Sequence, residues 1–338
     1  MNLQIDLNQL SKYRTPLMGL AALMIIICHA PQYGISMPIT ISNLLQRGGL
    51  GVDIFLFLSG LGCYYSLSKG VILKQWYYKR FIRIFVPYLF MQIPFWIWKL
   101  YNGVFSFSKE FMVFSTIDFW LNHTGAWYIA LLIPLYSFTP LIYKYLQLGN
   151  RMLLTGLMVV ALIIVCMFNI NIFNDTTHAV FNNLQWAFGR VPSFVIGMAA
   201  APLIKRGMKI HAGVLIILPL IFYVAIHEFI NKDTPTQWCL VPPALTVLII
   251  FIEYIKNKKF IYHFISWIGI VSLESYLANI YLCDILKEIF SPLRANYPLL
   301  TNGYLEYSLV ILLGILLSLL INKISMPIVT KLDMSIKM

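Results

Sequence analysis

The sequence predicts an all-α protein, a polytopic membrane bundle of about ten transmembrane helices with both termini in the cytoplasm, forming a single domain over residues 1–338. Three observations carry that prediction. Hydrophobic residues fill 59% of the 338 positions and charged residues only 11%, with a mean hydropathy of +0.77, which excludes an ordinary soluble domain. The apolar residues gather into stretches of about 15 to 22, the length a helix needs to cross a bilayer. Lys and Arg collect in alternate separators between those stretches, as the positive-inside rule requires.

The first span covers 16–31 and ends where Pro31 comes after His29; 15 mostly polar residues precede it and no small-residue cleavage site comes after it, so it is expected to stay in the membrane. The second, 50–68, opens on Gly51-Val52-Asp53-Ile54-Phe55-Leu56-Phe57-Leu58-Ser59-Gly60. The third, 84–101, is entered through Lys79-Arg80-Phe81-Ile82-Arg83, and Trp127 and Tyr128 open the fourth, 126–146, just after His123. Gly149-Asn150-Arg151 separates it from the fifth, 152–170, and the sixth, 184–203, carries Arg190 in its first two turns. The seventh and eighth, 212–230 and 238–255, lead into Lys256-Asn257-Lys258-Lys259; the ninth, 263–284, holds Glu274 and Asn279, and the tenth is 305–328. No low-complexity tract, repeat or linker marks a second domain.

Charge orients these spans. With the N-terminus inside, 18 basic residues face the cytoplasm: Lys12, Arg14, Lys69, Lys74, Lys79, Arg80, Arg83, Lys144, Arg151, Lys205, Arg206, Lys209, Lys256, Lys258, Lys259, Lys323, Lys331 and Lys337. Six lie outside, namely Arg47, Lys99, Lys109, Lys232, Lys287 and Arg294. The net charge of +12 is then topology and contact with anionic lipids, with no nucleic-acid partner required. The five cysteines, Cys28, Cys63, Cys166, Cys239 and Cys283, sit in apolar runs without metal-ligand spacing and read as small buried hydrophobes; no metal site is expected.

Topology turns position into depth. At 1.5 Å per residue His29 lies roughly 20 Å above the start of its span, in the outer half, and Asp53 and Arg190 enter from the same side. Glu274 falls near mid-depth with Asn279 above it. Ionisable side chains at membrane depth are expensive and mark function by default. A polar cluster of His29, Asp53, Arg190, Glu274 and Asn279 is therefore expected in the outer half. On the opposite side Arg80 and Arg83 are three apart, on one helix face, where two guanidiniums suit phosphate; the plain reading of the same residues is a topology signal.

An early membrane histidine, GVDIFLFLSG, an RxxR before an apolar span and the late Gly269-Ile270-Val271-Ser272-Leu273-Glu274-Ser275-Tyr276-Leu277 together resemble the acyltransferase type 3 family, over essentially the whole chain. Members are bacterial ten-helix membrane proteins that move acyl groups, usually acetyl, from cytoplasmic coenzyme A thioesters to hydroxyls of surface or secreted glycans. The resemblance implies a membrane O-acyltransferase for polysaccharide modification, multi-pass in the cell inner membrane or plasma membrane. It holds no permanent cofactor, takes acetyl-CoA or another acyl-CoA as donor, and has a glycan acceptor and membrane lipids as its other partners. His29 matches the histidine of the family's Arg-x10-His motif, the base for the acceptor hydroxyl. Met18 stands at the motif's arginine, and Arg14, one turn earlier, is the stand-in. Asn279 occupies a position where many relatives carry histidine.

The implied site has His29 as base, since its unperturbed pKa is nearest neutrality, with a carboxylate, Asp53 or Glu274, to orient it. Arg190 or Asn279 would meet the developing oxyanion, Arg80 and Arg83 the donor's phosphates, and Arg14, standing in for the motif arginine, and Trp127, at the outer edge, are counted with the substrate-binding residues. Each residue also has a structural reading. His29 bonds a neighbouring helix, Asp53 pairs with Arg190, Glu274 caps an internal network, and Trp127 and Trp238 anchor the interface. His123, His178, His211, His227 and His263 fall in loops or span ends. Two other classes compete: a transporter of a small anionic substrate, for which inverted repeats are expected and none is found, and an inactive family member marked by Met18.

Overall fold

The computed structural model describes residues 4–33, 35, 37–167, 175–229, 236–296 and 303–335. Lys232 and Lys337 lie outside the described residues, as do the side chains of Cys166 and Arg294. The chain runs β1 (Gln4–Asp6), α1 (Gln9–Lys12), α2 (Arg14–Cys28), α3 (Ala30–Tyr33), α4 (Ile39–Gln46), α5 (Leu50–Leu67) and α6 (Leu73–Tyr101). Next come α7 (Phe107–Phe114), α8 (Ile117–Asn122), α9 (Trp127–Tyr145), α10 (Arg151–Met167), α11 (Asp175–Phe188), α12 (Val191–Lys205) and β2 (Lys209–His211). The remainder is α13 (Ala212–Phe229), α14 (Val241–Ile255), α15 (Lys259–Ile270), α16 (Ser272–Asn296) and α17 (Gly303–Ser335).

Where the residues are described, each predicted span falls mostly on helix, with differences that have physical causes. Among the described residues five helical stretches are long and apolar enough to cross a membrane: Ile39–Leu67, Leu73–Tyr101, Thr177–Lys205, Gln237–Ile255 and Gly303–Ser335. The predicted span 263–284 is two helices, α15 and α16, bent by 75° at Val271, and counting that pair as one span gives six. Arg14–Cys28, Arg151–Ile164 and Ala212–Glu228 are shorter apolar helices. The third span begins at Leu73 rather than 84, because Lys79, Arg80 and Arg83 have stems and propensities that helices accept; hydropathy alone places the boundary too late. Within Thr177–Lys205 the helix breaks at Gly189 and Arg190, so Arg190 caps α12 instead of riding within its first turns. The chain is not wholly α either: β1 pairs antiparallel with β2, Ile5 opposite Ile210.

α5 is the centre. Its residues from Gly51 to Leu61 are all buried, as a helix apolar on every face should be. α2 and α12 flank it, with α9 and α14 completing its surroundings. Lipid tails are as apolar as leucine, so helices here associate through close packing of small residues. A Cβ on Gly60 would overlap the Phe194 carbonyl oxygen, and one on Gly197 that of Phe57, so α5 and α12 touch backbone to backbone. Gly51 meets Ala21 of α2 in the same way, and Gly19 meets Ile265 of α15. The glycines at the two ends of GVDIFLFLSG are thus both points of close backbone contact for the central helix.

The basic segments gather at one end. Leu7 N–H donates to Met208 O at 2.9 Å, bringing the N-terminal segment against the turn after α12. Gln9 Nε2 and Tyr13 Oη both donate to Glu253 Oε1, at 2.9 and 2.6 Å, and so dock the same segment on the end of α14. Lys79 Nζ lies 3.3 Å and Arg83 Nη2 4.0 Å from the Asp333 carboxylate near the end of α17. α2 starts at this basic end with Arg14 and delivers His29 to the other.

Candidate active site

At the far end of α2, His29 sits at the C-cap, half-buried. Its Nδ1 lies 2.5 Å from Asn279 Oδ1 on α16, and its Nε2 bonds to none of the described residues. Asn279 is 2% and Tyr307, on α17, 3% exposed. Asn279 Nδ2 donates to Tyr307 Oη at 3.4 Å, and Tyr307 Oη donates to the Ile26 carbonyl. The imidazole is therefore gripped at one nitrogen and open at the other.

The expected single cluster is three separate networks. Asp53 is fully buried; its Oδ2 accepts from Arg190 Nη1 and its Oδ1 from Ser193 Oγ at 2.8 Å. Arg190 also donates to Gly49 O at 3.4 Å, and its guanidinium lies 5.8 Å from the Trp127 ring and 5.7 Å from that of Trp186. Glu274, in the first turn of α16, accepts from Asn322 Nδ2 at 2.8 Å. Neither carboxylate bonds the imidazole; an amide does. Glu274 and Asn279 are five residues apart on α16, about 140° around the helix, so the two meet different neighbours.

At the basic end, Lys79, Arg80 and Arg83 share a face of α6 and, with Ser66, Val71, Gln75 and Trp76, line a cavity of about 190 Å³. Arg80 donates to Gly62 O at 3.3 Å and lies between the rings of Trp76 and Tyr136, 5.4 and 5.8 Å from their centroids. It also lines a second cavity of about 440 Å³, mostly aromatic and aliphatic, that runs between α6 and α9 past Ile84, Tyr88 and Leu132 to Phe114. Arg14 points into the same region. Its Nη2 comes closest to Gly62, where a Cβ would stand 3.5 Å away, and its Nε is buried without a hydrogen-bond partner. Arg14 thus joins Arg80, not His29.

Between the two ends lies a line of hydroxyls. Ser59 of α5 lies beside both Tyr128 and Tyr136 of α9. Tyr276 Oη accepts from the Tyr128 N–H at 3.2 Å, and Tyr276 is three residues from Asn279 on α16. Polar groups in hydrocarbon are kept only where they bond one another or line a path. Arg80, Tyr136, Ser59, Tyr128, Tyr276 and Asn279 are thus successive polar neighbours, a hydroxyl track in outline, between the cationic cavity and the imidazole.

The sequence pointed to His29, Asn279, Arg80 and Arg190, and to Asp53 as a partner of Arg190, but not to the other groups that hold them. Ser193 had a signal, standing three residues after Arg190. Tyr307, Asn322 and Asp333 had none, since each meets its partner from a distant helix. Among the described residues no three His, Cys, Asp or Glu side chains converge on a metal-sized site.

No curated protein and no solved structure matches the chain. A family model described as an acyltransferase domain matches residues 17–323, taking in His29, the central helix, the cationic cavity and the late segment around Asn279. The chain therefore belongs to the acyltransferase type 3 family, and at that level it is a multi-pass membrane acyltransferase.

Proposed function

We propose that this protein transfers an acyl group, acetyl above all, from a cytoplasmic acyl-CoA to a hydroxyl of an extracytoplasmic carbohydrate, and that it does so from the inner or plasma membrane with its basic end in the cytoplasm. One observation supports the reading best. A half-buried guanidinium, Arg14, whose Nε is buried without a hydrogen-bond partner and which has no carboxylate partner among the described residues, adjoins a cationic cavity at one end of α2, and an imidazole with one open nitrogen stands at the other. Arg80 and Arg83 with Lys79 would take the donor's phosphates, bidentate geometry favouring the two arginines. The pantetheine arm would run along the hydroxyl track toward His29.

His29 Nε2 then takes the proton of the acceptor hydroxyl as its oxygen attacks the thioester carbonyl carbon. Collapse of the tetrahedral intermediate breaks the carbon–sulfur bond, and the imidazolium returns the proton to the departing sulfur. The products are an ester and free coenzyme A thiol, with no covalent acyl-enzyme and no bound cofactor. Ten spans with both termini inside complete the proposal, with α9 and the shorter helices α2, α10 and α13 crossing as well, where the bilayer is locally thin.

Radiolabelled acetyl-CoA supplied to purified protein in nanodiscs tests it. Label appearing on an added glycan, with slow hydrolysis in its absence, is the expected result. A protein that neither binds nor consumes the thioester, yet moves a small anion across a vesicle membrane, is a transporter instead.

A further inference from the structure

We infer that Tyr307 is a positioning residue: through Asn279 it holds His29 in the tautomer that carries its proton on Nδ1 and presents a bare Nε2. The inference rests on the acyl-transfer reading for its consequence, but its argument is one of hydrogen-bond direction alone. The Ile26 carbonyl has no proton to give, so in its bond with Tyr307 the phenol must be the donor. A phenol has one proton. Toward Asn279 it therefore offers only lone pairs, and the amide must turn its Nδ2 to it, as it does at 3.4 Å. That leaves Oδ1 facing His29 Nδ1 at 2.5 Å, and an amide oxygen can only accept, so Nδ1 is the protonated nitrogen.

One backbone carbonyl of α2 thus sets the tautomer of a histidine three residues further along the same helix, by way of α17 and α16. The relay is shielded from water, because Asn279 and Tyr307 are almost wholly buried and Tyr307 packs against Tyr33 with ring centroids 5.4 Å apart. Without the phenol proton sink, the amide is free to reverse and donate to Nδ1. The imidazole then carries its proton on Nε2, where the acceptor hydroxyl needs a base. An uncharged amide suffices for this task; a carboxylate would do it without the relay, since it accepts whichever way it turns.

The direct test reads the tautomer. In protein labelled with nitrogen-15 histidine and reconstituted in nanodiscs, the His29 signals, assigned by their loss in His29→Gln, should show a protonated Nδ1 and an unprotonated Nε2 at pH 8. In Tyr307→Phe the two forms should mix, kcat should fall about tenfold to a hundredfold, and KM for acetyl-CoA should stay within twofold. Adding Asn279→Asp to Tyr307→Phe should restore the Nδ1-protonated form and most of kcat. A wild-type His29 protonated on Nε2 overturns the inference while leaving acyl transfer standing, as does a Tyr307→Phe variant with unchanged tautomer and rate. The expected tautomer in a protein whose His29→Gln variant still transfers acetyl at the wild-type rate overturns the acyl-transfer reading instead.

Discussion

Two buried arginines, Arg190 and Arg14, stand at opposite ends of the bundle in opposite electrostatic conditions. Arg190 is 11% exposed and closed on every side by the Asp53 carboxylate, the Gly49 carbonyl and two tryptophan faces. Arg14 opens α2, where the helix dipole already disfavours a cation, has a second guanidinium near it, and leaves its Nε without a partner. A buried charge that is fully paired holds elements together; one that is unpaired is tolerated when an anion completes it. The first arginine joins α12 to α5. The second is proposed to receive the donor's phosphates.

The largest effect expected is at the paired end. Asp53→Ala leaves Arg190 buried without its counter-charge, and breaking such a pair costs about 3–5 kcal/mol, enough to unfold many proteins. The variant should be recovered poorly in detergent and melt far below wild type, whereas Asp53→Leu with Arg190→Met should regain most of the loss. If Asp53→Ala instead melts normally and only activity is lost, the carboxylate is a chemical group, and the contrast with Arg14 collapses.

His29 shares that end of the molecule with Arg190 yet behaves on this view like Arg14, with one face left open. His29→Ala should lower transfer about 10²- to 10⁴-fold, the usual contribution of a general base, without changing the melting temperature or acetyl-CoA affinity. Full glycan O-acetylation by a normally expressed variant would move His29 to the structural group with Asp53.

Much of this contrast was legible in the sequence, and the part that was not has a common cause. Composition and run length predict a membrane bundle, and each predicted span meets a helix because about 15 apolar residues in a row satisfy their backbone polar groups in lipid no other way. GVDIFLFLSG marked the central helix correctly, although its glycines proved to be points of backbone contact with α2 and α12. The linear chain hides azimuth at helix breaks. Glu274 and Asn279 follow the break at Val271 on one helix yet face Asn322 and His29, and Arg190, at the cap of α12, reaches Asp53. Equally hidden were the strands β1 and β2, whose three-residue runs carry no period long enough to read.

Arg14 provides the third and sharpest test, because its two readouts should move in opposite directions. Arg14→Gln removes an uncompensated buried cation, so the ligand-free protein should melt at a higher temperature than wild type. Acetyl-CoA affinity should fall about tenfold, equivalent to ~1.4 kcal/mol. Placing Met18→Arg on an Arg14→Ala background puts a guanidinium one turn along the same helix, about 6 Å away in rise, and should recover much of the activity. A variant at Arg14 that is destabilised and binds donor normally would make Arg14 a second Arg190.

The smallest effect lies at the mouth of the cationic cavity, where the contrast between paired and unpaired cations meets within a few ångströms. Asp333 reaches from α17 to Lys79 at 3.3 Å and Arg83 at 4.0 Å, while Arg80, between them in sequence, has no carboxylate partner among the described residues. An incoming polyphosphate must share or displace that carboxylate to use all three cations. The pairs are partly exposed, with side chains 30% and 22% accessible for Lys79 and Asp333, so each is worth about 0.2–1 kcal/mol. Asp333→Asn removes the competitor and keeps the shape, and should tighten acetyl-CoA binding about twofold to fivefold by calorimetry, more at low salt than at high, with the melting temperature nearly unchanged. Weaker binding in this variant would mean that Asp333 holds Lys79 and Arg83 in place for the donor, making it part of the receptor rather than its rival.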